Sequence, residues 1–164
     1  MSKVAIIMGS RSDLDAMAEA CRILTEFDVE FECRVMSAHR TPEALAVYVE
    51  GLESEGCQVL ICGAGGAAHL AGVVASHSIL PVIGVPMKST LNGLDSLLST
   101  VQMPRGIPVA TTAIGGSGAY NAALLAVQIL SLGDQDVREK FKQFRVNQTE
   151  KLTAEAVVEA GEWQ

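Results

Sequence analysis

Positive charge is scarce in this sequence, and its shortage excludes two classes of partner. The 164 residues include 12 lysines and arginines against 19 aspartates and glutamates, a net charge of −7. Proteins that bind nucleic acid neutralise phosphates with a surplus of basic side chains. Docking on an anionic membrane needs the same surplus. We therefore expect neither nucleic acid nor a membrane as a partner.

Long apolar runs and targeting segments are also missing. Gly, Ser, Pro and Asn interrupt every apolar stretch, so none has the composition of a membrane span. The N-terminal MSKVAIIMGS has one lysine and a short apolar run, which is more typical of a strand than of a signal peptide. We expect a cytoplasmic protein.

The four cysteines, Cys21, Cys33, Cys57 and Cys62, form no C-x-x-C pair and show no zinc-ligand spacing. Their pattern favours buried free thiols in a reducing cytosol, with a catalytic thiol as the alternative. No set of His, Cys, Asp and Glu has metal-ligand spacing, and no dinucleotide-binding or NTP-binding glycine motif is present. We expect no metal and no cofactor.

Charge of either sign is nearly absent from residues 56–133. Lys88, Asp95 and Arg105 are the only formally charged side chains in that segment. A monomer of 17.3 kDa needs more polar surface than such a run offers. The segment therefore predicts a homo-oligomer in which other subunits cover much of it.

Five apolar runs alternate with helical patterns along the chain. Strands are predicted over residues 4–9, 31–37, 58–65, 81–86 and 107–114, and helices over 12–27, 69–78, 93–101 and 117–132. A further helix begins at Thr41-Pro42-Glu43, with Thr41 as N-cap and Pro42 at the first helical position. This alternation predicts an α/β fold, a flavodoxin-like three-layer sandwich whose five-stranded parallel sheet has the order 2-1-3-4-5.

The end of the chain has a different composition. Residues 134–164 are charged, with Val137, Phe141 and Phe144 at helical spacing. We expect one domain over residues 1–164, in which 134–164 form an amphipathic helical extension. Packing of that helix on its own core or on a neighbouring subunit is favoured over a separate partner-binding module.

Strand 1 ends in GSRSD, residues 9–13. In the order 2-1-3 the carboxyl ends of strands 1, 2 and 3 are neighbours, and ligands bind at that edge of such sheets. The hydroxyls of Ser10 and Ser12 and the N–H groups of the following helix suit an oxyanion. Helix capping by Ser12 or Asp13 is the alternative.

Strand 2 ends in SAHRTP, residues 37–42, which combines two useful groups. Arg40 offers a fixed charge and a fork of donors suited to a phosphate. His39 titrates near neutral pH and can move a proton in either direction. A structural histidine is the alternative, but its place beside Arg40 at the functional edge favours catalysis.

Strand 3 ends in GAGGAAHLAG, residues 63–72, where small residues surround His69. Such residues let the backbone wrap a flat ligand and present N–H groups to it. Tight helix packing is the alternative and accounts for Gly72 and Ala75, and His77 is interpreted as structural. Together the three strand ends predict an enzyme that acts on a phosphorylated heterocycle without a cofactor.

Five motifs carry a resemblance to a known family. GSRSD, SAHRTP, GAGGAAHL, PVIGVP and GLDSLLSTVQMPRGIPVATTAI resemble the N5-carboxyaminoimidazole ribonucleotide mutase family of purine biosynthesis, in its bacterial-type class I form, over residues 4–151. The resemblance implies an isomerase that converts N5-carboxyaminoimidazole ribonucleotide into 4-carboxy-5-aminoimidazole ribonucleotide. The carbamate loses CO₂, which is held in the pocket and added again at ring carbon C4.

The resemblance also implies a role for individual residues. His39 is the implied general acid and base, and the family is a homo-octamer of flavodoxin-like subunits. The implied binding residues for phosphate and sugar are Ser10, Asp13 and Arg40, with the hydroxyl of Ser12 in the same loop. The implied lining of the base and carboxylate pocket is Ser37, Ala38, Gly65, Ala67, His69 and Leu70.

Two positions bear on the choice within the family. Ala71 stands where bacterial members have proline; the change removes no polar group, so we expect activity to survive. Arg40 stands where animal relatives, which carboxylate aminoimidazole ribonucleotide directly with CO₂, tend to have lysine. The arginine favours the mutase over that direct carboxylase. A non-catalytic nucleotide-phosphate sensor is the alternative from a different class.

Overall fold

A five-stranded parallel sheet forms the centre of the fold in a computed structural model that describes residues 3–156 and 158. The strand order is β2-β1-β3-β4-β5, as predicted. The strands are β1 (Val4–Met8), β2 (Phe31–Val35), β3 (Val59–Ala64), β4 (Val82–Pro86) and β5 (Ala110–Thr111). The predicted fifth strand over 107–114 is too long, because Pro108 cannot donate a hydrogen bond to a ladder.

Helices cover both faces of the sheet. They are α1 (Leu14–Glu26, after a 3-10 turn at Arg11–Asp13), α2 (Pro42–Leu52), α3 (Leu70–Ser76), α4 (Leu94–Val101), α5 (Gly116–Leu130) and α6 (Gln135–Ala154). One core lies between the sheet and α1 with α5, and another between the sheet and α2 with α3. The predicted α/β three-layer sandwich is confirmed.

Strand β1 shows why the apolar runs are continuous rather than alternating. Val4, Ile6 and Met8 belong to the core on the α1 side, whereas Ala5 and Ile7 belong to the core on the α2 side. All five side chains are buried, since a central parallel strand has helices on both faces. The ends of β1, β2 and β3 therefore meet at one edge of the sheet.

The predicted C-terminal helix is present as α6. Asp134 is its N-cap, and the carboxylate accepts hydrogen bonds from the N–H groups of Asp136 and Val137. Val137, Phe141 and Phe144 pack against the protein's own core, where both phenylalanine rings meet Phe27. The rest of the helix beyond Phe144 is exposed, and residues 157 and 159–164 of the predicted extension lie outside the described residues.

No helix in the described ranges is both long enough and apolar enough to cross a membrane.

Candidate active site

The predicted site residues meet in a cavity of about 400 Å³ at the carboxyl edge of the sheet. Its lining includes ten of the eleven predicted site residues: Ser10, Ser12, Asp13, Ser37, Ala38, His39, Arg40, Gly65, Ala67 and Leu70. The eleventh, His69, contacts His39. A larger cavity of about 740 Å³ lies beneath α6, but its lining contains no histidine, arginine or glycine loop. We therefore place the site at the strand ends.

The GSRSD loop forms one wall of the cavity. Ser10 caps the 3-10 turn, and its hydroxyl accepts hydrogen bonds from the Ser12 N–H at 3.3 Å and the Ser12 hydroxyl at 2.9 Å. Asp13 occupies the N-cap position of α1, yet its carboxylate makes no capping hydrogen bond. Capping by the Ser12 or Asp13 side chain is therefore wrong, and the carboxylate of Asp13 is left to face the cavity.

Burial raises the pKa of Asp13 above its ordinary value, and hydrogen bonds from Ser10 and Ser12 oppose that rise. A partly buried carboxylate with unused lone pairs is a strong acceptor for a ligand hydroxyl.

The SAHRTP segment follows β2 and contacts the end of β1 through Arg40. The Arg40 side chain donates hydrogen bonds to the Gly9 carbonyl at 3.1 Å and to the Ser37 hydroxyl at 3.3 Å. These bonds fix the guanidinium between two strand ends and leave its other N–H groups for a ligand. Thr41 is the N-cap residue of α2, as predicted, but its hydroxyl accepts from the backbone N–H of Ser37 and donates to the Ser37 carbonyl instead of bonding a helix N–H.

His39 and His69 form a direct pair across the cavity. His39 Nε2 lies 3.0 Å from His69 Nδ1, and the rings meet edge to face. Between two neutral imidazoles such a bond holds one proton, so the tautomer of one ring sets that of the other. His69 stands at the N-cap position of α3 without capping the helix, which leaves its ring free for His39.

The GAGGAAHL loop is held from behind by α4. Gly66 adopts a φ of +66°, a left-handed conformation that favours glycine. Its N–H donates to the hydroxyl of buried Ser96 at 2.9 Å, and its carbonyl accepts from the Ser99 hydroxyl at 3.0 Å. Neither serine was identified from the sequence. The pattern that could have indicated them is two hydroxyl side chains three residues apart on an apolar helix.

Lys88 is a further residue that sequence reasoning missed. It follows β4 and lines the same cavity. Among the described residues, its side chain has no hydrogen-bond or ion-pair partner. Its charge could have indicated it, because Lys88 is one of only three charged side chains in residues 56–133. The cavity therefore has two cationic side chains, Lys88 and Arg40.

Other predicted features lie outside the cavity. His77 lies outside the cavity lining, where its Nδ1 lies 3.0 Å from Glu50 Oε1, and its structural role stays a prediction. Ala71 is buried at the second position of α3, where the helix itself has no acceptor for the backbone N–H that a proline would lack. Within residues 3–156 and 158, His, Cys, Asp and Glu form no group that could hold a metal ion.

The profile of the AIR carboxylase family matches residues 3–151. The chain belongs to the AIR carboxylase family. Two similar members are N5-carboxyaminoimidazole ribonucleotide mutases, one from Pyrococcus abyssi and one from Bacillus subtilis. The first is 59% identical over 146 residues, or 88% of this chain and 83% of that protein. The second is 57% identical over 145 residues, or 88% of this chain and 90% of that protein.

A solved family structure has the same fold. PurE from Treponema denticola superimposes with a TM-score of 0.84 at 30% identity, over 92% of this chain and 94% of that one. The cavity described above is thus the candidate active site of an AIR carboxylase family member.

Proposed function

We propose that this protein is an isomerase that converts N5-carboxyaminoimidazole ribonucleotide into 4-carboxy-5-aminoimidazole ribonucleotide in purine biosynthesis. The observation that carries the proposal is that His39, whose Nε2 lies 3.0 Å from His69 Nδ1, lines one cavity with the guanidinium of Arg40. A proton carrier beside an anion site is what a phosphorylated substrate with a migrating carboxylate requires. The family membership supports the same activity.

The substrate phosphate binds at Arg40, whose guanidinium is held by Gly9 and Ser37 with donors to spare. The hydroxyls of Ser10 and Ser12 supply further hydrogen bonds to it. Asp13 accepts a hydrogen bond from a ribose hydroxyl. The imidazole ring lies against Ser37, Ala38, Gly65, Ala67 and Leu70, which are small or apolar and leave room for a flat group.

His39 carries the proton in both half-reactions. It first donates a proton to the carbamate nitrogen as the N–C bond breaks and CO₂ leaves. Ring carbon C4 then attacks the retained CO₂, and neutral His39 removes the C4 proton, which restores the aromatic ring. The proton lent in the first step is regained in the second, so no cofactor or metal is needed.

His69 positions His39 for these transfers. A hydrogen bond between Nδ1 of His69 and Nε2 of His39 holds the reacting ring at a fixed angle. Ser96 and Ser99 in turn hold the loop that carries His69.

Lys88 is the partner of the second anionic group. The substrate has a phosphate and a carbamate, and the cavity has two cations, Arg40 and Lys88. Arg40 lies at the GSRSD loop, so we assign the phosphate to it and the carboxylate of the carbamate to Lys88.

The proposal includes assembly as a homo-octamer in the cytoplasm, with part of residues 134–164 packing on other subunits. Leu94, Leu98 and Val101 form an exposed apolar stripe along α4, each about half exposed. The stripe lies in the segment that has almost no charge, and a second copy of the chain is the occupant that covers it. The second half of α6, exposed in the single chain, supplies further contact surface.

The test is turnover of freshly made N5-carboxyaminoimidazole ribonucleotide by the purified protein without added bicarbonate. A parallel reaction offers aminoimidazole ribonucleotide with high bicarbonate. Fast conversion in the first reaction and little in the second is the expected result. Activity in the second alone makes the protein a direct carboxylase. Nucleotide binding without turnover in either reaction makes it a sensor.

A further inference from the structure

Two cysteines outside the active site lie on facing elements. Cys21 is in α1 and Cys33 is in β2, and both are free thiols. In the parallel register Cys33 is the partner of Ile6, which belongs to the core on the α1 side of the sheet. Phe31, two residues earlier in β2, packs on that same core, as does Cys21. Because strand side chains alternate, Cys33 also points to the α1 side.

Their accessibility differs from that of the other two cysteines. Cys33 is exposed on the edge strand of the sheet, and Cys21 is partly exposed, whereas Cys57 and Cys62 are buried. The sequence-based expectation of buried thiols is therefore correct for Cys57 and Cys62 and wrong for Cys33. A small molecule can reach the first pair and not the second.

The two thiols also interact with each other. The neighbouring Cys33 side chain is the largest cause that lowers the pKa of Cys21 to about 7, and the positive charge of Arg22 acts in the same direction. The same interaction raises the pKa of Cys33. By contrast, burial raises the pKa of both Cys57 and Cys62. Cys21 is thus the thiol with the most thiolate character at neutral pH.

We propose that Cys21 and Cys33 form a redox-active dithiol site that reacts with low-molecular-weight disulfides of the glutathione type. The Cys21 thiolate attacks one sulfur of the small disulfide, breaks its S–S bond and releases one small thiol. Cys33 then loses its proton, attacks the Cys21 sulfur of the mixed disulfide and releases the second small thiol. Two protein thiols are oxidised to one disulfide, and one small disulfide is reduced to two thiols.

The elements that carry the two cysteines are next in the chain to two segments of the active site. Helix α1 begins directly after the GSRSD loop, and β2 leads into the SAHRTP segment. A bond between Cys21 and Cys33 ties these two elements together without touching the cavity, whose lining includes neither cysteine. The site is therefore separate from the catalytic residues and does not depend on the proposed reaction.

The test is equilibration of the folded protein with anaerobic glutathione buffers of increasing oxidised fraction. After an acid quench and alkylation of the unfolded chain, intact mass and peptide mapping give the state of each cysteine. We expect a single internal disulfide between Cys21 and Cys33, reversed by excess reduced glutathione, with Cys57 and Cys62 still open to alkylation. A disulfide between chains, a bond to Cys57 or Cys62, or no oxidation in fully oxidised buffer overturns the proposal.

Single variants separate the two thiols. In Cys33→Ser the mixed disulfide at Cys21 has no second thiol to resolve it, so one glutathionyl group remains on the chain. In Cys21→Ser no internal disulfide forms, and Cys33 is glutathionylated more slowly than Cys21 is in Cys33→Ser, because the thiol with the lowest pKa is gone. Both variants are nearly isosteric, and an unchanged thermal melt confirms that they fold. Equal glutathionylation of the two variants contradicts the order of attack.

Discussion

His39 and Arg40 are neighbours in the chain and make separate contacts in the site. The guanidinium of Arg40 turns back to Gly9 and Ser37, while the imidazole of His39 reaches across to His69. The tight turn between Ser37 and Thr41 sends the two side chains in different directions. Binding and proton transfer can therefore be tested one residue at a time.

The first prediction concerns His39→Asn. Loss of the general acid and base removes roughly 10²–10⁴-fold in turnover. Substrate affinity stays within about tenfold, or 1.4 kcal/mol, because Asn keeps a polar group near His69. Single-turnover kinetics and a binding titration measure the two effects. His77→Asn is the matched control outside the cavity and keeps full activity; full activity of the His39 variant removes it from the mechanism.

Lys88→Met tests the cation that sequence reasoning missed. The side chain is exposed, so its ion pair with the substrate is worth about 1 kcal/mol, or roughly fivefold in KM. The effect should shrink as salt is added, since salt screens exposed charges. Lys142→Met, on the exposed face of α6, is the control and leaves KM unchanged. A KM for Lys88→Met equal to that of the native protein contradicts the assignment.

Asp13 links function to pH-dependent stability. Burial raises its pKa above 3.8, so the folded state binds this proton more tightly than the unfolded state does. Its contribution to stability therefore falls as the pH rises above 3.8, and the loss is complete above the folded pKa. Asp13→Asn should melt slightly higher than the native protein at neutral pH, while substrate binding weakens.

The stability advantage of Asp13→Asn should disappear as the pH falls to 3.8 and below, where the native carboxyl is itself neutral. Thermal melts of both proteins across that range measure it. An advantage that grows toward acid contradicts the sign of the pKa change.

At the scale of elements, α6 is attached through its first half only. Phe141 and Phe144 pack against Phe27, and their ring centroids lie 6.1 and 5.5 Å from its own. Asp134 caps the helix and forms an ion pair with Lys3 at 2.6 Å. The helix therefore begins in a fixed position and extends away from its own subunit.

Phe144→Ala tests this attachment. The ring is partly buried, so its loss should cost about 2 kcal/mol in the free energy of unfolding, below the range for a full core position. Urea denaturation measures the change. Val146→Ala, two residues on and exposed, is the control and should cost little. Equal losses in the two variants mean that the aromatic cluster does not anchor α6.

At the scale of the whole molecule, the exposed stripe on α4 is the surface that the proposed assembly covers. Leu94, Leu98 and Val101 lie at helical spacing on one face, while Ser96 and Thr100 on another are buried. The helix thus holds the active-site loop on its inner side and presents apolar surface on its outer side. In the proposed octamer, assembly and catalysis share this element.

Leu98→Glu places a charge in the middle of the stripe. The native protein should have the mass of an octamer in light scattering, and the variant should give smaller species, because a buried unpaired carboxylate is costly. Leu152→Glu, on the exposed second half of α6, tests whether that surface is also covered. A monomeric mass for the native protein refutes the oligomer.

The sequence alone determined the sheet, its order and the location of the site. Continuous apolar runs occur where both faces of a strand are buried, and alternation with helices leaves few parallel topologies. The three motifs at the ends of β1, β2 and β3 then had to converge at one edge. Thr41 is the N-cap residue of α2, as predicted, but the local sequence did not indicate that its hydroxyl binds Ser37, because several nearby groups compete for a hydroxyl.

Only the tertiary structure decided which distant side chains meet. The His39–His69 pair spans 30 residues, Ser96 reaches Gly66 from another helix, and Lys88 enters the cavity from β4. Cys21 and Cys33 lie on the same side of the sheet because β2 pairs with β1 in one register and α1 covers that face. Such contacts depend on strand register and helix packing. Both are determined by interactions throughout the core, so no local sequence pattern indicates them.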